Sequence, residues 1–423
     1  MGLVVRNAVV LTQDAGRRVL KDCDVLVEGE SISRVGKGLQ GKAEFEIDGK
    51  GKLLLPGLVN CHTHAAMTVF RGLADDCEFF EGWEGRVWPA EKRLKPRHVY
   101  AGARLALLEM VRSGTTSFLD MYFFPDETAR ACRELGVRGV LGAPIFDAPV
   151  VDGGTEDTFR KSGGEGLVRF GTMPHAPYTV GEEGYRKAAA FAEREGCVLH
   201  THVAETRREV HDVKKATGKR PVEWLESIGA LSPRTVAAHC VWVTRQEAGI
   251  LGRNGVTVAH CPVSGMKLAG GGVTPIPELS EAGANVTLGT DGAASNNSLD
   301  MIETMKVCSL LQKHSRWNAA AADAGQVLDF ATRNGARALG IDGGSIEEGR
   351  LADFILLDLR HPNMLPVSSV GFAPLVVYSA NPSNVCDVVV NGKPVLLGGR
   401  FASAPAEMIA RDAEKAVAEL HWA

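Results

Sequence analysis

The apolar positions of the chain change their rhythm twice. In residues 1–56, apolar and polar side chains alternate over the short runs Gly2–Leu11, Cys23–Glu28, Ser31–Val35 and Ala43–Ile47, with Gly and Asp between them. A period of two bounded by turn residues predicts β-strands. From 57 to 343 the pattern becomes strand, helix, strand. Eight apolar strand-like runs occur: Gly57–Cys61, Thr115–Met121, Arg138–Ala143, Val168–Met173, Cys197–Val203, Thr235–His239, Thr257–His260 and Asn285–Gly289. Amphipathic stretches such as Pro96–Ser113 and Gly184–Glu195 separate most of them. Eight strand–helix units predict an α/β fold, a (β/α)8 TIM-like barrel. After 344 the strand rhythm returns in Ala352–Leu357, Val376–Tyr378, Val385–Val390 and Lys393–Leu397, and Ala406–Leu420 predicts a closing helix. Neither end has a core of its own. Residues 1–56 and 344–423 therefore predict one small β-sandwich domain with a C-terminal helix, beside a barrel domain of residues 57–343.

Composition agrees with this division and narrows the setting. A chain of 423 residues, 45% hydrophobic, can bury a barrel core and a second, smaller one. A net charge of -4 leaves no basic footprint for nucleic acid. The nine cysteines are odd in number and form no C-x-x-C, which predicts reduced thiols and a cytoplasmic setting rather than a disulfide framework. No apolar run reaches spanning length, and no charged-then-apolar leader opens the chain, so no membrane partner is expected. Met1-Gly2 resembles a myristoylation start, but Arg6 stands where a Ser or Thr is needed.

The chemistry begins at Val59-Asn60-Cys61-His62-Thr63-His64. Residues two apart on a strand share a face, so His62 and His64 can present two imidazoles to one divalent ion. Barrel chemistry sits at the C-terminal strand ends. There the chain places His175 after strand four, His202 on strand five, His239 on strand six and Asp291 after strand eight, so five of its 12 histidines belong to this set. His62, His64, His202 and Asp291 complete a mononuclear site with room for water. A divalent metal lowers the pKa of such water from 15.7 to roughly 7. Three nitrogens and one oxygen suit Zn2+, and Fe2+, Mn2+ or Co2+ also fit. No Lys near the end of strand four is available to bridge a second metal.

Glu205 follows His202 by three residues, so the chain must leave the strand for both to face one site. From the loop a carboxylate can move a proton from water to substrate. Read alone, Glu91 in Trp88-Pro89-Ala90-Glu91 is a helix-start carboxylate favoured by the dipole. His200 shares the strand face of His202 one pleat deeper and reads as a buried packing or hydrogen-bonding residue. His260 is either a rim contact or strand-end packing. Cys61, Cys240 and Cys261 fall on the opposite strand face. His98, His211, His314, His361 and His421 read as surface residues.

Taken together, Pro56–His64, Met67–Asp76, Trp88–Glu91, Pro174–Tyr178, His202–Thr206, Ala238–Cys240 and Gly289–Asn297 resemble the amidohydrolase superfamily. Within it they are most similar to the 5-methylthioadenosine/S-adenosylhomocysteine deaminases and the 5'-deoxyadenosine deaminases. The motifs occur in order along essentially the whole chain. The resemblance implies hydrolytic deamination at C6 of an adenosine-type nucleoside, with His62, His64, His202 and Asp291 as metal ligands. It implies Glu205 as the proton shuttle to N1 of adenine and His239 as the group that orients the nucleophile and stabilises the adduct. It gives Asp291 a part in protonating the leaving amine. It places Glu91 on the ribose hydroxyls with His175 near them, and it implies a homo-oligomer.

One departure bears on the substrate. Members that accept S-adenosylhomocysteine can carry arginines after strand three that bind its carboxylate, and those places appear here as Ala143 and Thr155, with Arg160 or Arg138 as possible substitutes. The expectation is a preference for neutral 5' groups: 5'-deoxyadenosine, 5'-methylthioadenosine or adenosine. Guanine or cytosine deamination and s-triazine dechlorination are alternatives on the same scaffold, although a free base needs neither Glu91 nor His175. A barrel without catalysis, used as a binding protein, would have lost a ligand or the acid–base group, and none is missing. A purely structural metal site would close all four positions with protein, which the placement of Glu205 and His239 argues against.

Overall fold

The computed structural model describes residues 2–41, 43–147, 166–367, 371–403 and 405–420. The alternating N-terminal runs form strands β1 (Gly2–Leu11), β2 (Val19–Glu28), β3 (Ser31–Gly36) and β4 (Phe45–Asp48). A further strand, β5 (Lys52–Pro56), carries no alternation, because Leu53, Leu54 and Leu55 are all fully buried. A strand covered on both faces reads as one apolar run, which is why the period-two pattern overlooks it.

One residue later the barrel begins. Its strands are β6 (Leu58–Thr63), β7 (Thr115–Met121), β8 (Arg138–Gly142) with the short β9 (Pro144–Ile145), and β10 (Val168–Phe170) with the short β11 (Met173–Pro174). They continue as β12 (Leu199–Val203), β13 (Thr235–His239), β14 (Thr257–His260) and β15 (Asn285–Leu288). All eight expected barrel strands are present. They run parallel in two four-stranded arrays, β10-β8-β7-β6 and β12-β13-β14-β15. One seam between the arrays is the parallel bridge Thr172–Leu199. At the other, the Asp291 amide donates to the His62 carbonyl at 3.0 Å, and Asn60 Nδ2 donates to Thr290 Oγ1 at 2.8 Å. Gly289 belongs to this second seam: a Cβ there would stand 2.7 Å from His62 Cβ, so only glycine permits the approach.

Leu58, Phe118, Leu141, Val203, Val258 and Leu288 from six strands share one buried cluster with helix residues such as Leu107, Leu225 and Leu328. Truncating one such leucine to alanine costs roughly 2–5 kcal/mol.

The C-terminal strands β16 (Phe354–Asp358), β17 (Val385–Val390), β18 (Lys393–Leu397) and β19 (Arg400–Phe401) return to the first ones. Because β16 pairs with β5, the two chain ends form one nine-stranded sheet, ordered β19-β18-β17-β16-β5-β1-β2-β3 with β4 on β1. Val5, Val25, Ile32, Leu54, Phe354 and Val389 make its separate apolar core. Val376–Tyr378, expected as a strand, is part of a helical turn, Leu375–Ser379. It follows Pro374, and its packing partners are the helices Met301–Arg316 and Ala324–Ala331, so no strand edge is beside it to pair with.

Two polar links tie these parts together. Arg138 at the start of β8 is buried against Asp353 (2.9 Å) and Asn391 (2.8 Å) of the terminal sheet. The last helix, Ala406–Glu419, packs on the helix Pro96–Arg112, with Arg104 Nη1 2.9 Å from Asp412 Oδ2. The same contact corrects the reading of His98. It is 2% exposed, accepts the Lys95 amide at Nδ1 and meets Glu419 through Nε2 at 3.1 Å. His211 and His314 are exposed, His361 is partly so, and His421 lies outside the described residues. Among the described residues no helix is long and apolar enough to cross a membrane.

Candidate active site

The strand ends deliver the polar residues to one rim. His62 lies on β6 with His64 just beyond its end, His202 on β12 and His239 at the end of β13, while His175, Glu205 and Asp291 follow β11, β12 and β15. Several of these exits use the left-handed backbone region: Ala204 has φ 51°, His239 φ 68°, Cys240 φ 51° and Asp291 φ 64°. Residues with a Cβ seldom adopt it, and such strain gathers where a side chain must be re-aimed. Ala204 is the place where the chain leaves β12, so Glu205 reaches the side that His202 faces.

Hydrogen bonds sort the ring nitrogens. His64 Nδ1 lies 2.6 Å from the Met121 carbonyl, and His202 Nδ1 lies 2.7 Å from the His175 carbonyl. A carbonyl only accepts, so each Nδ1 carries the proton and each Nε2 keeps a lone pair. His200 extends the logic to His62. Its Nδ1 donates to the Val236 carbonyl at 2.9 Å, which leaves its Nε2 to accept from His62 Nδ1 at 2.8 Å. His200 is thus the buried hydrogen-bonding residue expected from its place on β12. His260 is buried with neither ring nitrogen hydrogen-bonded among the described residues, and it belongs to no metal-sized group found there.

Three bare Nε2 atoms and one carboxylate oxygen converge. His62 Nε2 stands 3.5 Å and His64 Nε2 3.4 Å from Asp291 Oδ1, and the Nε2 atoms of His64 and His202 are 3.4 Å apart. His62 Nε2 is fully buried and makes no hydrogen bond. Lone pairs crowded in this way repel one another, and a divalent cation among them removes the repulsion. The N3O donor set, with Nδ1 protons held by outer acceptors, fits such an ion. Burial pushes His62 down to about 3, which keeps its ring neutral and able to ligate at ordinary pH. Burial alone would raise Asp291, but hydrogen bonding from His62 and the charges of His62, His239 and His64 hold it well below the usual carboxylate range. Ser264 Oγ and the Gly292 amide donate to its two oxygens at 2.6 and 2.7 Å.

Glu205 points at this cluster. Its Oε2 is 3.9 Å from His239 Nε2, and it forms with His239 and Asp291 a group whose polar atoms lie within 4.8 Å of one another. Burial first, and the Asp291 charge second, push Glu205 up to about 8. A dication nearby acts in the opposite direction. A carboxyl so placed can hold or release a proton near neutral pH. Burial lowers His239, leaving a neutral ring.

Above the cluster opens a pocket of about 650 Å³ whose walls include Trp83, Trp88, Phe146, Tyr178, His175 and Glu91. The Phe146 and His175 rings stand 4.6 Å apart, and His175 Nδ1 is 2.9 Å from Thr179 Oγ1. Glu91 is not a helix-start carboxylate. It ends the helical run 79–91, where the dipole disfavours its charge, and only 6% of it is exposed. Tyr122 Oη donates to Glu91 Oε1 at 3.0 Å, yet burial wins and pushes Glu91 up to about 7.

This sets a pH dependence. With Glu91 at about 7 in the fold against an ordinary 4.5, stability from its protonated form is full below pH 4.5 and lost as pH rises through 7, at most about 3 kcal/mol. Glu91→Gln cannot ionise. Its Tm in the ligand-free protein should fall less between pH 5 and pH 8 than that of the parent chain; equal slopes in a thermal melt series would refute the assignment.

Tyr122, Ser264 and Thr179 escape motif reading because single hydroxyls carry no spacing signal. Trp83, Phe146 and Tyr178 are ordinary aromatics until the fold brings them to one wall. Thr155 and Arg160 lie outside the described residues.

A parallel α/β barrel with a histidine–aspartate cluster at its C-terminal rim defines a scaffold with a candidate mononuclear metal centre. The sequence profile of the amidohydrolase family matches residues 53–395. The chain belongs to that family. It is 44% identical to the 5'-deoxyadenosine deaminase of Methanothermobacter thermautotrophicus, over 94% of each chain. It is 42% identical to 5-methylthioadenosine/S-adenosylhomocysteine deaminase 1 of Archaeoglobus fulgidus, over 96% of each. An adenosine deaminase from Xanthomonas campestris, solved with bound zinc, superposes with a TM-score of 0.94 at 32% identity, covering 99% of this chain and 98% of that one.

Proposed function

We propose that the chain catalyses hydrolytic deamination at C6 of an adenosine-type nucleoside, giving the inosine analogue and ammonia. The observation that carries this reading is the buried Glu205 carboxyl aimed at the histidine–aspartate cluster, beneath a pocket that holds a second buried carboxyl, Glu91. The deaminase names of its relatives support it.

His62, His64, His202 and Asp291 would hold one divalent cation, with Zn2+ favoured by the N3O set and by the zinc of the Xanthomonas campestris enzyme. Such a cation supplies Lewis acidity that makes water a competent nucleophile near pH 7. Glu205 takes one proton from the attacking water and delivers it to N1, which turns C6 into a better electrophile. His239 orients the nucleophile and donates to the oxygen that gains charge as it bonds to C6. Asp291 passes the second water proton to the amine, the C6–N bond breaks and ammonia leaves. Glu91 accepts hydrogen bonds from the ribose hydroxyls, and His175 flanks the sugar. The nine free cysteines support a cytoplasmic setting, and the 96% exposed Trp317 supports a homo-oligomer that covers it. A small-molecule nucleoside is the partner this reading requires, with neither nucleic acid nor membrane.

The 5' group points the same way as the aromatic walls. Ala143 is buried and offers no charge, and Arg138, a possible carboxylate partner, is committed to Asp353 and Asn391. A carboxylate without a charge-assisted partner forfeits roughly 1.5–3 kcal/mol. We expect kcat/KM for 5'-deoxyadenosine to exceed that for S-adenosylhomocysteine by about 10- to 150-fold. Ammonia release across a panel of 5'-substituted adenosines, guanine, cytosine and an s-triazine tests both levels. Activity confined to the free bases or the triazine sinks the nucleoside reading. A preference for S-adenosylhomocysteine sinks only the 5' preference.

A further inference from the structure

We infer that Glu209 is the positioning residue that holds the Glu205 carboxyl in its working place, an inference that rests on the proposed role of Glu205. Thr206-Arg207-Arg208-Glu209 has the form of a capping box at the start of the helix Arg207–Thr217. Half of the box is made: Thr206 Oγ1 accepts the Glu209 amide at 3.1 Å. In the other half a glutamate would turn back to the Thr206 amide and stay near solvent. Glu209 reaches further. One of its carboxylate oxygens accepts the Ala204 amide at 2.7 Å and the other accepts the Glu205 amide at 2.8 Å. Only 2% of the residue is exposed.

The two amides it holds are those of the turn that aims Glu205. Ala204 has φ 51°, a conformation that a residue with a Cβ leaves when nothing holds it. The opposite side of the turn is pinned to the strand of His239, because the Trp242 amide donates to the Ala204 carbonyl at 2.9 Å and the Cys240 amide donates to the Val203 carbonyl at 3.0 Å. Glu209 closes the remaining side. A buried carboxylate is a costly way to end a helix, since an exposed one caps as well. Its place is accounted for by what it holds: a two-oxygen acceptor matched to two successive amides. His202 does not depend on it, because its ring is fixed by the His175 carbonyl. Metal ligation and proton transfer are therefore separable at this turn.

Glu209→Gln and Glu209→Ala test the inference. Glutamine keeps the shape but offers one accepting oxygen, and its NH2 confronts the second amide; alanine offers none. We expect kcat to fall about 3- to 10-fold for Gln and about 10- to 100-fold for Ala, with KM within about twofold and metal content unchanged. Hydrogen exchange at the Ala204 and Glu205 amides should quicken in both variants. The deciding measurement is the double variant: Glu209→Ala placed on Glu205→Gln should cost almost nothing further, since a positioning residue has no effect once the group it positions cannot act. Additive losses in the double variant, unchanged kcat in both single variants, or metal content and kcat lost together would overturn it. If alanine does not fold, the isosteric Gln variant, alone and on Glu205→Gln, carries the same test. Absence of deamination by the parent chain is a failure of the proposed function, which this comparison separates from a failure of Glu209.

Discussion

Glu205→Gln is expected to lower kcat for nucleoside deamination by about 10²- to 10⁴-fold, the usual span for a general acid–base group, while KM and metal content stay close to those of the parent chain. The amide fills the same space beside His239 and Asp291, with which Glu205 shares a group of polar atoms within 4.8 Å. What it removes is a group that can take a proton from water and give it to N1. Because the loss falls on the transition state alone, it appears in kcat and kcat/KM equally. Burial makes the carboxyl suited to the task, since its push up to about 8 brings the proton affinity near that of the surroundings in which the enzyme works. Steady-state rates on the best nucleoside of the panel, with metal measured on the same samples, decide the matter. Full activity in this variant would remove Glu205 from the mechanism and leave His239 or Asp291 to move both protons.

Much of this was readable before any coordinates, and the part that was not has a common cause. The eight barrel strands announce themselves because each is an apolar run between amphipathic stretches. His62 and His64 are legible from period-two geometry, and His202 and Asp291 from their places at strand ends. What hides is whatever depends on backbone groups of distant residues. The carbonyls of Met121, His175 and Val236 set the tautomers of His64, His202 and His200, and no side-chain pattern marks a carbonyl. β5 hides because burial on both faces erases its alternation. The run at Val376–Tyr378 misleads in the opposite sense: β-branched and aromatic residues suggest a strand, yet helices surround it. Glu91 and Glu209 mislead alike, because a carboxylate near a helix end is normally solvated and these two are turned inward. In both cases the local rule fails at a residue placed close to the chemistry, which is where such failures are expected.

Removing the metal is expected to abolish activity and to lower Tm by several degrees, and adding back zinc should restore both. The stability effect follows from the ligand geometry. Without a cation, three Nε2 lone pairs and the Asp291 carboxylate face one another across 3.4 to 3.5 Å. An ion that binds only the folded chain stabilises it by about 4 kcal/mol when its free concentration is a thousandfold above Kd. His62→Ala should reproduce the loss by a different route. It removes one ligand and leaves His200 Nε2, the acceptor of the His62 Nδ1 proton, without its donor inside the barrel. That variant should bind zinc at least 100-fold more weakly even where it folds, and it should not recover when zinc is supplied at the concentration that restores the stripped parent. Adding Fe2+, Mn2+ or Co2+ to the stripped parent separates the choice of metal from the need for one. Undiminished turnover in protein stripped of metal would break the link between the cluster and the chemistry, and would leave the convergence of four donor atoms with a purely structural meaning. Loss of activity without any change in Tm would locate the ion at the site of reaction but outside the forces that hold the barrel rim together.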